Sequence, residues 1–139
     1  MDLSRFKKAH EGCYKRALAE IRTGCKESHW MWFIFPQFKG LGRSFKARYY
    51  AIKSIEEARA FLGDSYLGGN LREISRALLV CETNNAEEVF GYIDAMKLKS
   101  SMTLFDYVAD ELEENKVFRQ VLDKFFDGVL DTVTLEIIK

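Results

Sequence analysis

Apolar residues recur along most of this chain at the three- and four-residue spacing that places side chains on one face of a helix. Between residues 3 and 23 this spacing runs through Phe6, Ala9, Cys13, Ala17 and Ile21. Gly24 follows, and glycine commonly ends a helix because it adopts the left-handed conformation without steric cost. The pattern therefore predicts a long amphipathic helix at the start of the chain.

Residues that cap helices precede most of the later apolar segments. Ser44 stands before a segment that runs to Tyr50, and Ser54 with Glu57 has the spacing of a capping box. The other predicted helices run from Asp64 or Ser65 to Cys81, from Asn85 to Gly91, from near Asp94 to Val108, from Asn115 to Phe126 and from Thr132 to Ile138. We expect an all-α fold of about seven or eight helices, several of them short, in one compact domain over residues 1–139.

The stretch from Ser28 to Gln37 is the most distinctive part of the chain. It reads Ser-His-Trp-Met-Trp-Phe-Ile-Phe-Pro-Gln and contains both tryptophans, one of the two histidines and the only proline. Its apolar run, Trp30 to Phe35, is too uniform for periodicity to separate a buried strand from a buried helical turn. We favour a short buried helix, which Pro36 ends.

Charge and hydropathy exclude several classes of function. The 21 basic and 21 acidic side chains cancel, so no net field concentrates nucleic acid or anionic lipid around the chain. No apolar run approaches the roughly 20 residues that span a bilayer, and the first residues lack the apolar stretch of a signal peptide. We therefore expect a cytoplasmic protein that binds neither nucleic acid nor membrane.

The cysteines and carboxylates form no recognisable metal or disulfide pattern. The three cysteines are odd in number and lack CxxC spacing, so we expect buried free thiols, no metal site and no cofactor. Cys25, close to His29, is the one cysteine considered as a nucleophile. The adjacent residues Glu56 and Glu57 are interpreted as part of an exposed helix face, without a catalytic role.

Two long motifs carry a resemblance to a known family. The first is the stretch from Ser28 to Gln37 with Gly40-Leu41-Gly42-Arg43-Ser44 after it, and the second is Lys97-Leu98-Lys99-Ser100-Ser101-Met102-Thr103-Leu104-Phe105. Over nearly its whole length the chain resembles a family of small uncharacterised proteins, catalogued as a domain of unknown function and often given the automatic label calpastatin. The resemblance implies a single all-helical domain, found in bacteria and fungi, with no established activity. Nothing in this chain resembles the extended, proline-rich, disordered protease inhibitor that the label describes.

The first motif supplies candidate ligand-binding groups. His29 is the candidate general acid or base, because histidine is the side chain that exchanges protons near neutral pH. Trp30 is a candidate platform for a base or nicotinamide ring, although large aromatics more commonly build the core. Polar groups that suit a phosphate or another polar ligand follow in the next residues: Gln37, Gly42, Arg43 and Ser44. The alternative for the glycines is a simple turn.

The second motif adds a cation and hydroxyl groups. On a helix, Asp94, Lys97 and Ser101 fall three and four residues apart and share one face. We take Lys97 and Ser101 as candidate ligand-binding residues. The structural alternatives are a surface ion pair between Asp94 and Lys97, and a role for Ser100 and Ser101 in capping a following helix.

Two classes of function remain. The first is a pocket that binds or turns over a small nucleotide-like or glycosidic metabolite of the NAD or ADP-ribose type. In its support, Ser44, Tyr50 and Lys53 resemble the serine-tyrosine-lysine pattern of small helical proteins linked to NAD and ADP-ribose N-glycosidic chemistry. The alternative is a non-enzymatic protein–protein interaction module, in which an exposed part of the aromatic segment contacts a partner or a second copy of the chain.

Overall fold

Nine α-helices and one 3-10 helix form the structure. A computed structural model of the protein describes residues 1–139. The helices are α1 (Ser4–Thr23), α2 (Met31–Ile34), α3 (Phe45–Tyr49), α4 (Ile55–Gly63), α5 (Ser65–Val80), α6 (Ala86–Phe90), α7 (Tyr92–Val108), α8 (Val117–Phe126) and α9 (Thr132–Ile138), with the 3-10 helix Glu113–Lys116 before α8. The predicted all-α fold is confirmed, with nine α-helices rather than seven or eight. None of these helices is both long and apolar enough to cross a membrane.

Several predicted caps begin and end these helices. The Ser44 hydroxyl accepts a hydrogen bond from the Ala47 amide at 3.1 Å and begins α3. The Ser54 hydroxyl accepts one from the Glu57 amide at 3.0 Å and begins α4. Gly24 ends α1 with a φ of 80°, in the left-handed region that the helix-stop prediction requires.

A row of four phenylalanines crosses the core. Phe6 of α1 meets Phe61 of α4 edge to face, with ring centroids 5.0 Å apart. Phe61 lies 5.5 Å from Phe105 of α7, which lies 6.0 Å from Phe118 of α8. All four side chains are fully buried and belong to one hydrophobic cluster. Because contacts between rings add to the effect of area burial, this row joins four helices into a single domain.

Gly68 allows α5 to approach the end of α4. A Cβ atom at this position would lie 2.0 Å from the carbonyl oxygen of Leu62, so no larger residue fits without a backbone shift. The side chain of Asp64 caps α5 by accepting hydrogen bonds from the amides of Tyr66 and Leu67. This cap explains why the glycines in the first turns of α5 do not delay its start.

Glu57 is buried, contrary to the prediction of an exposed face. It is 5% exposed, and its two carboxylate oxygens accept hydrogen bonds from the Arg5 guanidinium at 2.9 and 3.1 Å. The Lys53 amide donates a further hydrogen bond to it at 2.8 Å. A carboxylate is tolerated inside a protein when it is paired and hydrogen-bonded in this way. The prediction is wrong for Glu57 because its partner Arg5 lies 52 residues away in sequence.

Candidate functional site

A cavity of about 520 Å³ opens between the loop after α2, helix α7 and the start of α9. Its size lies within the range of about 300 to 1,000 Å³ that is typical of small-molecule sites. Five of the predicted site residues line it: Gln37, Gly42, Arg43, Ser44 and Lys97. The other three, His29, Trp30 and Ser101, lie outside the lining. Both motifs of the sequence therefore contribute to one concave surface.

The loop from Gln37 to Ser44 is anchored at both ends. At its start, two backbone hydrogen bonds of 2.9 Å join it to Ile52. At its end, Gly42 lies so close to α3 that a Cβ atom there would be 2.5 Å from the Cβ of Ala47. Backbone contacts within the protein thus set the course of this loop. A loop that is already ordered lowers the entropic cost of binding a ligand.

Two cations, Arg43 and Lys97, line the cavity. Arg43 takes no part in the ion pairs of the structure. The Lys97 Nζ lies 3.8 Å from one oxygen of Asp94, whereas the Lys26 Nζ lies 2.9 Å from the other oxygen. Because Coulomb attraction weakens with distance, Lys26 is the main partner of Asp94. Arg43 therefore has no counter-charge in the protein, whereas Lys97 keeps the longer of the two ion pairs with Asp94, which is the structural alternative considered for it.

Trp32, rather than Trp30, is the tryptophan next to the cavity. Its indole is partly exposed, and the Nζ atoms of Lys46 and Lys97 lie 4.9 and 5.6 Å from a ring centroid. Both distances are within the range of a cation–π interaction. The exposed His29 ring lies 6.5 Å from the Trp32 ring, on centroids. Trp32 thus lies close to both His29 and Lys97 of the cavity wall.

Glu20 holds Trp30 in the core. Trp30 is 1% exposed, and its indole Nε1 donates to Glu20 Oε1 at 2.9 Å. The Glu20 carboxylate also accepts hydrogen bonds from the amides of Glu27 and Ser28 at 2.8 and 2.9 Å, and from the Ser28 hydroxyl at 2.6 Å. Burial acts to raise the pKa of Glu20, but these hydrogen bonds outweigh it and lower the pKa to about 2. The ionised carboxylate therefore fixes the segment that leads into α2.

The buried histidine of the protein is His10. It is 1% exposed, its Nε2 donates to the Phe33 carbonyl oxygen at 2.8 Å, and its Nδ1 accepts from the side-chain Nδ2 of Asn70 at 3.0 Å. Burial lowers the pKa of His10 to about 4, against the opposing effect of the bond to Phe33. His10 is thus a neutral link between α1, α2 and α5.

Ser100 of the second motif and Asp131, which was not among the predicted site residues, form a polar wall of the cavity. Asp131 caps α9, because its Oδ2 accepts hydrogen bonds from the Thr134 amide at 3.2 Å and from the Thr134 hydroxyl. The Thr134 hydroxyl in turn lies 2.9 Å from the Ser100 hydroxyl of α7. An aspartate directly before the last predicted helix was a local signal for the cap. No local signal shows that α9 packs on α7 and completes the cavity.

Ser101 lies inside a continuous helix. It is fully buried, it does not line the cavity, and its hydroxyl has no hydrogen-bond partner. Helix α7 runs without a break from Tyr92 to Val108, so the alternative in which Ser100 and Ser101 cap a following helix is wrong. Adjacent residues of a helix point to different faces, which explains why Ser100 reaches the cavity and Ser101 does not.

The cysteines are free thiols, but the prediction that they are buried is wrong: Cys25 is exposed, and Cys13 and Cys81 are partly buried. Burial raises the pKa of Cys81. No three histidine, cysteine, aspartate or glutamate side chains are grouped as metal ligands.

Comparison with known proteins gives a family and a structural relative. A family model described as "Protein of unknown function (DUF1810)" matches residues 1–138. The structure is similar to the crystal structure, at 1.38 Å, of the conserved hypothetical protein Rv1873 from Mycobacterium tuberculosis. The two chains are 40% identical, the match covers 99% of this chain and 96% of the other, and the TM-score is 0.93. None of the curated proteins matches this chain.

Proposed function

We propose that this chain, which belongs to the family of proteins of unknown function DUF1810, binds a small anionic metabolite of nucleotide-like or glycosidic type, such as NAD or ADP-ribose. One observation carries the proposal: residues singled out in two separate sequence motifs line a single cavity of about 520 Å³. The descriptions of the family and of its structural relative name no activity. The proposal therefore depends on the chemistry of the cavity.

The cavity combines cations with apolar walls. Arg43 and Lys97 suit a phosphate group, because arginine binds its oxygens with two parallel hydrogen bonds and lysine acts as a point charge. The side chains of Tyr92, Ile93 and Met96 form apolar walls at the α7 side. Apolar walls with a few placed polar groups are the usual composition of a metabolite site. A phosphate joined to a flat ring or a sugar matches both kinds of surface.

A thermal-shift screen against NAD, ADP-ribose, nucleosides and sugar phosphates tests the proposal. At a ligand concentration 100 times the dissociation constant, binding stabilises the folded protein by about 2.7 kcal/mol and raises its melting temperature. Loss of one charged hydrogen-bonding partner in Arg43→Gln or Lys97→Gln is expected to weaken binding by about 10- to 100-fold.

Two matched variants control for changes in surface charge. Arg16→Gln and Lys15→Gln remove the same kinds of side chain from exposed positions on α1, and each is expected to keep the full thermal shift. The proposal fails if no compound in the panel shifts the melting temperature. It also fails if the shift persists in the double variant of Arg43 and Lys97.

Turnover of the bound ligand, with His29 as general acid or base, is the further part of the proposal. His29 does not line the cavity, and its ring lies 6.5 Å from the ring of Trp32, which is next to Lys97. A ligand must therefore extend beyond the cavity lining to come within hydrogen-bond reach of the imidazole. Release of nicotinamide from NAD by the wild type and not by His29→Ala would support this role. Release that is unchanged in His29→Ala removes His29 from the reaction, and no release by the wild type restricts the function to binding.

The aromatic segment that was expected to form a partner surface is buried apart from Trp32. Exposed apolar side chains around the cavity nevertheless favour a second candidate, the protein–protein interaction module. Phe45, Tyr92, Ile93 and Val133 are 77%, 65%, 70% and 52% exposed. Such groups are common at surfaces that contact another protein. Sedimentation velocity at increasing protein concentration tests self-association: a mass increase that Ile93→Ser abolishes supports the module, and a constant monomer mass counts against pairing of two copies.

A further inference from the structure

We propose that Asp131 binds hydroxyl groups of the ligand, so that the ligand is a phosphorylated sugar or nucleotide with a free diol rather than a simple anion. This inference rests on the proposed function of the cavity and adds the class of compound that fits it. It follows from the presence of Asp131 in the lining of the same cavity as two cations.

Asp131 has one carboxylate oxygen without a donor in the protein. Its Oδ2 accepts both hydrogen bonds from Thr134, whereas no protein group donates to Oδ1. None of the ion pairs in the structure includes Asp131. A carboxylate accepts hydrogen bonds and donates none, so this oxygen is suited to hydroxyl or amino donors.

The position of this carboxylate is fixed by a hydrogen-bond network. The Asp131 amide donates to the Thr103 hydroxyl at 2.9 Å, and that hydroxyl donates to the Lys99 carbonyl oxygen at 2.8 Å. On the other side, Thr134 joins Asp131 to Ser100. Because both α7 and α9 hold the group, little side-chain freedom is lost when a ligand binds to it.

The charges of the cavity favour hydroxyl donors over an ammonium group. Arg43 and Lys97 line the same cavity as Asp131, so it contains two cations and one carboxylate. An ammonium group near Asp131 is repelled by both cations, and a compact anion without donors is repelled by Asp131. Neutral hydroxyls avoid both penalties, and their hydrogen bonds to an ionised carboxylate are short and strong.

A ribose phosphate combines the required groups. Its phosphate suits Arg43 and Lys97, and its two neighbouring hydroxyls suit the free oxygen of Asp131. A carboxylate that binds ribose hydroxyls is a recurrent solution in nucleotide sites of other folds. The apolar side chains Tyr92 and Met96 supply contact area for the attached ring.

Calorimetric titration with AMP, 2′,3′-dideoxy-AMP and inorganic phosphate tests the inference, with ADP-ribose as a probe of the cavity itself. The wild type is expected to bind AMP more tightly than the dideoxy compound, by about 10-fold or more. Hydrogen bonds from the ribose hydroxyls to a charged group have an effect of this size. In Asp131→Asn this ratio is expected to fall toward one. Inorganic phosphate is expected to bind that variant at least as well as the wild type, because a negative charge has been removed.

The variants are chosen to keep the fold. Asparagine is as good a helix cap as aspartate, and Asp131→Ser provides a second variant that keeps the cap and shortens the side chain. Asp127→Asn is the matched control, because it removes an exposed carboxylate that does not line the cavity. It is expected to change neither the affinity for AMP nor the affinity for the dideoxy compound.

The possible results separate the inference from the proposed function. If AMP and its dideoxy analogue bind equally while Arg43→Gln weakens ADP-ribose, the cavity is a ligand site and the role of Asp131 is refuted. Tighter binding of O-phosphoethanolamine than of AMP also refutes it, because Asp131 then prefers an ammonium group. If none of the probes binds, the proposed function fails and the inference fails with it.

Discussion

The Lys26 ammonium lies 2.9 Å from the Asp94 carboxylate, closer than the ammonium of Lys97, which lies 3.8 Å from the other oxygen of the same group. Lys26 is 8% exposed and also donates to the Ser28 carbonyl oxygen. A cation outside the cavity therefore determines how much positive charge Lys97 presents inside it.

Substitution Asp94→Asn is expected to move stability and ligand affinity in opposite directions. The buried Lys26 loses its counter-charge, so the free energy of unfolding falls by about 1 to 3 kcal/mol. Lys97 gains available charge, which strengthens anion binding by about 0.2 to 1 kcal/mol. Urea unfolding and calorimetric titration with ADP-ribose measure the two effects.

A second carboxylate provides the control for Asp94. Asp106 pairs with Arg119 at 2.7 Å, away from the cavity lining. Asp106→Asn is expected to lower stability modestly and to leave the affinity unchanged. Weaker anion binding in Asp94→Asn would contradict the assignment of Lys97 to the ligand.

The buried His10 predicts a pH dependence of stability. Burial lowers its pKa in the folded protein to about 4, below the ordinary value near 6.5 that applies after unfolding. The unfolded chain therefore binds a proton that the folded protein does not, and stability decreases as the pH falls from about 6.5 to 4. The total loss is about 3 kcal/mol, since each pKa unit is worth about 1.4 kcal/mol.

Urea unfolding between neutral pH and the lower end of this window measures the effect. His10→Gln is expected to be less stable at pH 7 and to lose most of the slope, because glutamine does not titrate. His29→Gln is the matched variant at an exposed histidine. An equal slope in His10→Gln and the wild type would show that other groups cause the acid sensitivity.

Substitution by alanine is expected to affect stability differently at the two neighbouring serines of α7, Ser100 and Ser101. Ser101 has a buried hydroxyl without a partner, so Ser101→Ala is expected to be neutral or to raise stability by up to about 1 kcal/mol. Ser100→Ala breaks the hydrogen bond with Thr134 and is expected to lower stability by about 1 kcal/mol. Thermal unfolding of both variants decides this. A marked loss of stability in Ser101→Ala would mean that its hydroxyl has a partner after all.

Two adjacent glycines in α5 provide a test of the close approach to α4. A Cβ at Gly68 meets the Leu62 carbonyl oxygen, whereas a Cβ at Gly69 has no heavy atom within 4 Å. Gly68→Ala is expected to cost about 1 to 3 kcal/mol by overpacking. Gly69→Ala is expected to stabilise the helix by about 0.5 to 1 kcal/mol. Equal effects in chemical denaturation would argue against the tight contact.

The helices could be predicted from the sequence, but the contacts between them could not. Caps such as Ser44 and Ser54 act on residues three positions away, so local patterns locate them. The partners of Glu57 and Glu20 cannot be found in this way, because both carboxylates bind groups that only the fold brings together. Their burial is a tertiary property.

The candidate site was partly predictable for the same reason. The loop residues and Lys97 stood out as unusual polar groups in two motifs, and they line one cavity. The choice between Trp30 and Trp32 could not be made, because a four-residue helix has too few turns for periodicity to assign faces. Asp131 was missed because its place in the wall depends on the packing of α9 against α7.

The most direct test of ligand binding in this cavity is an amide and indole NMR titration of the labelled protein with ADP-ribose. We expect shifts for the Gln37–Ser44 loop, Lys97, Asp131 and the indole of Trp32, with little change at the buried indole of Trp30. Loss of these shifts in Arg43→Gln would show that Arg43 takes part in binding ADP-ribose. The absence of shifts, or shifts confined to another cavity such as the one lined by Arg59, Arg72 and Asp110, would contradict it.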